Sequence, residues 1–166
     1  MRGLGTFDVV YSWGVLHHTG QMWKALEHAT IPVAPGGKLF ISIYNDQGMR
    51  SKLWAWVKKT YCSGPVGKAA MTALGGAVIG FGNLKSDVAL LRNPMARYRE
   101  YRRRRGMSAW RDVHDWLGGY PFEVATPDQI FDFYYERGFE LTRLTTDGGG
   151  SGTNQFVFKR VKSGAS

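Results

Sequence analysis

The sequence predicts an α/β fold with a parallel strand pair, an antiparallel C-terminal hairpin and a large helical insertion between them. Three observations carry that prediction. Phe7-Asp8-Val9-Val10-Tyr11 and Lys38-Leu39-Phe40-Ile41-Ser42-Ile43-Tyr44 are apolar on both faces, as strands are when helices cover both sides of a parallel sheet. Between them Met22, Ala25, Leu26, Ala29 and Val33 recur at helical spacing, which predicts a helix over Gln21–Val33 stopped by Pro35-Gly36-Gly37. Strand, helix and strand in this order form a crossover unit, right-handed by rule. Near the other end, 139–145 and 155–161 alternate apolar and polar residues around Gly148–Gly152, which predicts the hairpin.

The elements in between follow in order. Leu53, Trp54, Trp56, Val57 and Tyr61 set a helical period over Met49–Tyr61 and open the insertion, expected to span 46–124. Ala69–Phe81 is nearly all apolar, but Gly75, Gly76, Gly80 and Gly82 weaken it as a helix by about 1 kcal/mol each relative to alanine. Three readings stay open for it: a close-packed helix, a flexible lid, or a shallow membrane-contact segment. The packed or mobile lid comes before the membrane-contact segment, because the segment is short and lacks the charged opposite face of an interfacial helix. Ser86–Arg92 and Met95–Arg105 read as helices broken at Asn93-Pro94. Ser108–Leu117 places Trp110, Val113, Trp116 and Leu117 on one side of another, ended by Gly118-Gly119. Thr126, Pro127 and Gln129 announce a helix with a capping box, running to Arg137 before Gly138. The core is therefore expected at 1–45 and 125–162, with a disordered tail at 163–166.

Composition bounds the function. The chain has 166 residues, of which 43% are hydrophobic and 14% aromatic, so a packed globule is expected. No apolar run is long enough to span a bilayer and the first residues lack signal-peptide order, so the expected compartment is cytoplasmic. The single Cys62 has no partner for an internal disulfide or for metal-ligand spacing, so no metal site is expected. The net charge of +9 permits nucleic acid, anionic lipid or an acidic partner, and arginines concentrate at Arg97–Arg105. One basic run outside any recognised module reads as a solvated helix face before it reads as a phosphate-gripping strip.

Phe-Asp-Val-Val-Tyr-Ser-Trp-Gly-Val-Leu-His-His-Thr at 7–19, followed by Val-Ala-Pro-Gly-Gly-Lys-Leu-Phe-Ile at 33–41, resembles the class I S-adenosylmethionine-dependent methyltransferases. The subgroup it resembles is the ubiquinone-biosynthesis-like small-molecule methylases. The resemblance implies a partial Rossmann-like sheet in which the first pattern is the fourth strand with the loop bordering the cofactor, and the second the turn into the fifth strand. It implies the insertion as a substrate lid and the closing hairpin as the family's C-terminal signature. It also implies three earlier strands and a glycine-rich cofactor loop that this sequence does not carry before Met1. The chain thus resembles the C-terminal portion of such an enzyme. Its first strand then lies at a sheet edge, where Phe7–Tyr11 invites pairing with a second copy or a missing N-terminal half.

Ser12, Trp13 and Gly14 lie just past the first strand, where open parallel sheets place ligands. By resemblance they contact S-adenosylmethionine, with Val15 and Leu16 on the adenosine side; Trp13 packing beneath the lid is the equal alternative. His18 matches the family's histidine and is the candidate general base on a substrate hydroxyl, whereas His17 stands where an acidic residue is frequent and reads as a brace. Asp8 reads as structural. Asn45, Asp46 and Gln47 face the substrate or simply form a turn. His114, Asp115, Gly118, Gly119, Tyr120, Pro121 and Glu123 cluster at the insertion's end as substrate-pocket candidates. Three functions compete: a small-molecule methyltransferase or its fragment, a non-catalytic module pairing through its open edge, and a basic nucleic-acid- or membrane-binding protein.

Overall fold

The computed structural model describes residues 5–89, 103, 106, 109–148 and 152–161. The arginine run, apart from Arg103, and the expected tail at 163–166 lie outside the described residues. The chain divides into two compact units, Met1–Leu53 with Pro121–Ser166, and Trp54–Tyr120.

The first unit is built on a four-stranded sheet of β1 (Phe7–Trp13), β2 (Val33–Tyr44), β3 (Phe139–Thr145) and β4 (Thr153–Arg160), in the order β1-β2-β4-β3. β1 and β2 run parallel and the other two neighbour pairs antiparallel, so the fold is mixed α/β. The hairpin therefore enters the sheet with its second strand, placing the aromatic Phe156 and Phe158 beside Ile41 and Leu39. A short 3-10 turn (Leu16–His18) and α1 (Met22–Thr30) connect the parallel pair.

The core lies on one face of the sheet. Leu26, Val33, Leu39, Ile41, Ile130 and Phe158 have no exposed surface, and Tyr134 from α5 (Pro127–Tyr135) sits among them. Burying a side chain of that size stabilises by about 1.5–3 kcal/mol, so these contacts dominate the unit. Burial pushes the Tyr134 phenol well above its usual range, and its hydroxyl donates to the Leu26 carbonyl at 3.2 Å. The capping box predicted for α5 is present, with Gln129 Oε1 accepting from the Thr126 amide at 3.1 Å.

Two sequence expectations need correction here. The crossover helix ends at Thr30 instead of Val33, because Val33 is a buried residue of β2 and Arg160 Nη1 donates to the carbonyls of Thr30 and Val33 at 3.4 and 2.7 Å. Pro35-Gly36-Gly37 then lies inside β2 as a bulge, with Phe7 registered to Val33 but Val9 to Lys38. Gly36 has φ of 80°, and a Cβ at Gly37 would sit 2.9 Å from the Ala34 carbonyl, so the bulge requires both glycines. The second correction concerns β1, whose apolar faces are not both covered. Val9 and Tyr11 are 64% and 65% exposed, and only Val10 packs on the core.

The second unit holds α3 (Pro65–Ala89) and α4 (Ala109–Leu117); α2 (Met49–Tyr61) leads into it. The helix predicted from Ser86 to Arg92 begins inside α3, which runs unbroken to Ala89, and the one predicted over Met95–Arg105 lies outside the described residues apart from Arg103. Tyr61, Met71 and Leu117 form a small core. Gly67 is obligatory, since a Cβ there would clash with the Thr60 carbonyl where α3 leaves α2. The Lys58 amine donates to the Trp116 carbonyl at the end of α4, a favourable place for a cation. Desolvation of that buried amine lowers its pKa from 10.5, against opposing pulls from Cys62 and Asp115.

Candidate functional site

The parallel strands β1 and β2 end together at Trp13 and Tyr44, and the loop between β1 and α1 leaves from that end. Its geometry is fixed by a segment remote in sequence. Ala125 bridges Asn45 in parallel fashion, its amide donating to the Tyr44 carbonyl at 3.1 Å and its carbonyl accepting from Asp46 at 3.2 Å. This places 121–125 alongside the tail of β2, beyond the end of β1. From there the Glu123 amide donates to the His17 carbonyl at 3.0 Å, and the Pro121 ring lies close to Gly20, which has φ of 72°. Both Glu123 carboxylate oxygens accept from the Met22 amide, at 3.1 and 3.0 Å. Gln21, the residue before α1, offers no side-chain cap, so Glu123 caps this helix from a hundred residues away and sets an anion at the positive end of its dipole.

His18 is held by the same segment. Its Nδ1 lies 2.7 Å from the Pro121 carbonyl, which can only accept, so Nδ1 carries the proton. The neutral ring therefore keeps its lone pair on Nε2, the arrangement a general base needs. His17 is buried, with its ring against Tyr44 at 4.2 Å and against His18 at 4.5 Å; Phe122 extends the aromatic group at 5.0 Å from Tyr44.

Of the other predicted residues, Ser12 and Trp13 are the last two of β1, paired with Ile41 and Ser42, and do not stand past the strand as the sequence predicted. Trp13 and Val15 are 50% and 58% exposed, and Gly14 has φ of 74° with open space where a Cβ would be. Ser12 is half-buried beside Ile41. Leu16 belongs to the core, so of the two residues predicted for the adenosine side only Val15 is exposed. Asn45 accepts from Asn154 at 3.0 Å, and Asp46 accepts from Gly48 at 2.8 Å in a turn leading to α2. His114, Asp115 and Tyr120 belong to the second unit, where His114 Nδ1 is 2.7 Å from the Tyr61 hydroxyl. Asp8 is exposed on β1.

Sequence reasoning had grouped Pro121 and Glu123 with His114 and Asp115. Their contacts with the His17–Met22 loop carry no local sequence signal, because they are set by tertiary pairing alone. A groove of about 930 Å³ between α1 and α5, lined by Trp23, Lys24, His28, Phe133 and Arg137, contains none of the predicted residues. Arg137 there stacks on Phe133 at 3.6 Å and pairs with Glu136 at 3.7 Å. Among the described residues no cluster of histidine, cysteine, aspartate or glutamate has the makings of a metal site.

Comparison with protein families and with curated proteins finds no match. Among solved structures, an O-methyltransferase family protein from Burkholderia thailandensis is similar over 97% of this chain, at 12% identity and a TM-score of 0.46. The chain spans 32% of that protein's length. Similarity at this level transfers neither residues nor activity.

Proposed function

We propose that the chain is a small-molecule methyltransferase module dependent on S-adenosylmethionine, with His18 as the base for a hydroxyl acceptor. The observation that carries the reading is the segment 12–18 at the carboxyl end of the parallel pair β1–β2, with His18 fixed in the tautomer that leaves the lone pair on Nε2. The motifs that resemble the methyltransferases are thus adjacent in space as well as in order. The donor set suits one side of the cofactor only. Trp13 and Val15 offer apolar surface to an adenosine and Ser12 a hydroxyl, while the described residues include no glycine-rich turn between a strand and a helix to receive the methionine end. When bound, the cofactor supplies an electrophilic methyl group. The chain's own part is to align the acceptor and take its proton at Nε2.

A second reading, a non-catalytic module that pairs through β1, is favoured by the exposure of Val9, Tyr11 and Trp13 on that edge strand. Calorimetric titration with S-adenosylhomocysteine separates the two. Micromolar binding that Trp13→Ala weakens, with methyl transfer lost in His18→Gln, supports the enzyme. Absence of binding by folded protein removes the enzyme reading for this chain alone and favours the module.

A further inference from the structure

Helix α1 has a buried side and an outward one. Met22, Leu26 and Ala29 lie in the core, while Trp23, Lys24, Glu27 and His28 are exposed. At 3.6 residues per turn those four span an arc of about 140°, so they share one outward face. Beside that face lie Phe133 of α5 and Arg137 just past the end of that helix, and together they line the groove of about 930 Å³. Its size is that of a small-molecule site. It shares no residue with the segment 12–18, so a ligand bound there is independent of methyl transfer.

The lining says which chemistry fits. The Trp23 and Phe133 rings stand with centroids 5.3 Å apart, and Trp23 is 41% exposed, which makes it a platform for a planar ring. Arg137 is fixed twice by one residue. Its guanidinium lies 3.6 Å from the Phe133 ring centroid, and Nη1 donates to the Phe133 carbonyl at 2.7 Å. Among the described residues Nε and Nη2 make no hydrogen bond, so a pre-oriented edge of the fork is left for an oxyanion. Glu136 lies 3.7 Å from Nη1, the nitrogen already engaged. Neither Lys24 nor His28 has an ion pair among the described residues. Glu27 is the one carboxylate among the lining residues, set against the cations Lys24 and Arg137. A cationic ligand would meet both of those cations, and an uncharged ring would leave the guanidinium edge unused. Two separate cations suit a phosphate, whose terminal oxygens reach more than one donor, better than a carboxylate, which one fork saturates. We propose that the groove between α1 and α5 binds an aromatic phosphate ester, its ring on Trp23 and its phosphate held by Arg137 with Lys24.

The test is titration of the nitrogen-15-labelled full chain with 1-naphthyl phosphate, followed at the Trp23 indole resonance, which Trp23→Phe assigns. A saturating shift is expected. Inorganic phosphate and 1-naphthol, the two halves of the probe, should each bind at least about tenfold more weakly. Arg137→Gln should weaken binding about tenfold and Lys24→Gln about threefold, whereas Glu27→Gln should tighten it about twofold. All three residues are exposed, so circular dichroism should not change. General damage to the fold would not make the Glu27 variant bind more tightly. Four results overturn the proposal: no shift at any probe concentration, inorganic phosphate or 1-naphthol binding as tightly as the ester, binding unaltered in Arg137→Gln, or a Trp23 resonance that moves as the chain is concentrated without probe, which would give the groove to a second copy.

Discussion

Replacing Glu123 with alanine tests the clasp between the segment 121–125 and the loop before α1. The carboxylate accepts from the Met22 amide through both oxygens, at 3.1 and 3.0 Å, where Gln21 supplies no cap. Loss of a helix cap costs about 0.5–2 kcal/mol, and loss of an anion at a helix N-terminus about 0.3–1 kcal/mol. Glu123→Ala should therefore destabilise the first unit by about 1–3 kcal/mol. Glu123→Gln keeps an acceptor and removes the charge, so it should cost only about 0.3–1 kcal/mol. With a urea dependence of about 2 kcal/mol per molar, the alanine variant's midpoint should fall by roughly 0.5–1.5 M at unchanged slope. Tryptophan fluorescence during urea unfolding, with Trp23 in the affected helix, is the assay. An alanine variant that unfolds at the wild-type midpoint would refute the reasoning, because among the described residues no other side chain accepts from the Met22 amide.

Other expectations follow from single contacts. Phe158→Ala removes a fully buried ring that packs 4.6 Å from Tyr134 and 5.8 Å from Phe156, so unfolding should become easier by about 3–5 kcal/mol, measured by denaturant titration. Tyr11→Lys places a charge on the exposed edge strand; if β1 pairs with another chain, light scattering at high concentration should show association in the wild type and a monomer in the variant. A monodisperse wild type would end that reading. Lys58 has its pKa lowered by desolvation, so below 10.5 the unfolded chain holds this proton more tightly. Its contribution to stability should accordingly rise with pH from its lowered folded value up to 10.5 and be lost below that window. Thermal unfolding of Lys58→Met should show this part of the slope gone; an identical slope in both proteins would contradict the assignment.

Much of the fold was legible because its signals are local. Apolar runs at 7–11 and 38–44, the helical period from Met22 to Ala29, the Thr126-Pro127 start and the alternation over 139–145 and 155–161 each reflect the backbone's own periodicity and turn chemistry. The same local reasoning misread Pro35-Gly36-Gly37 as a stop, since a bulge inside β2 is defined only by its register against β1. It also read β1 as covered on both faces, although coverage depends on what packs there. The candidate site divides in the same way. The sequence by itself determined that the residues from Gly14 to His18 stand past β1, because their place follows from chain order; it ended the strand two residues early, and pairing with β2 carries Ser12 and Trp13 into it. Only the tertiary structure decided that Pro121 fixes the His18 tautomer, that Glu123 caps α1, that Leu16 belongs to the core and that Arg137 shares a groove with Trp23. Those are contacts across a hundred residues or differences in burial, and no pattern of neighbouring residues encodes either.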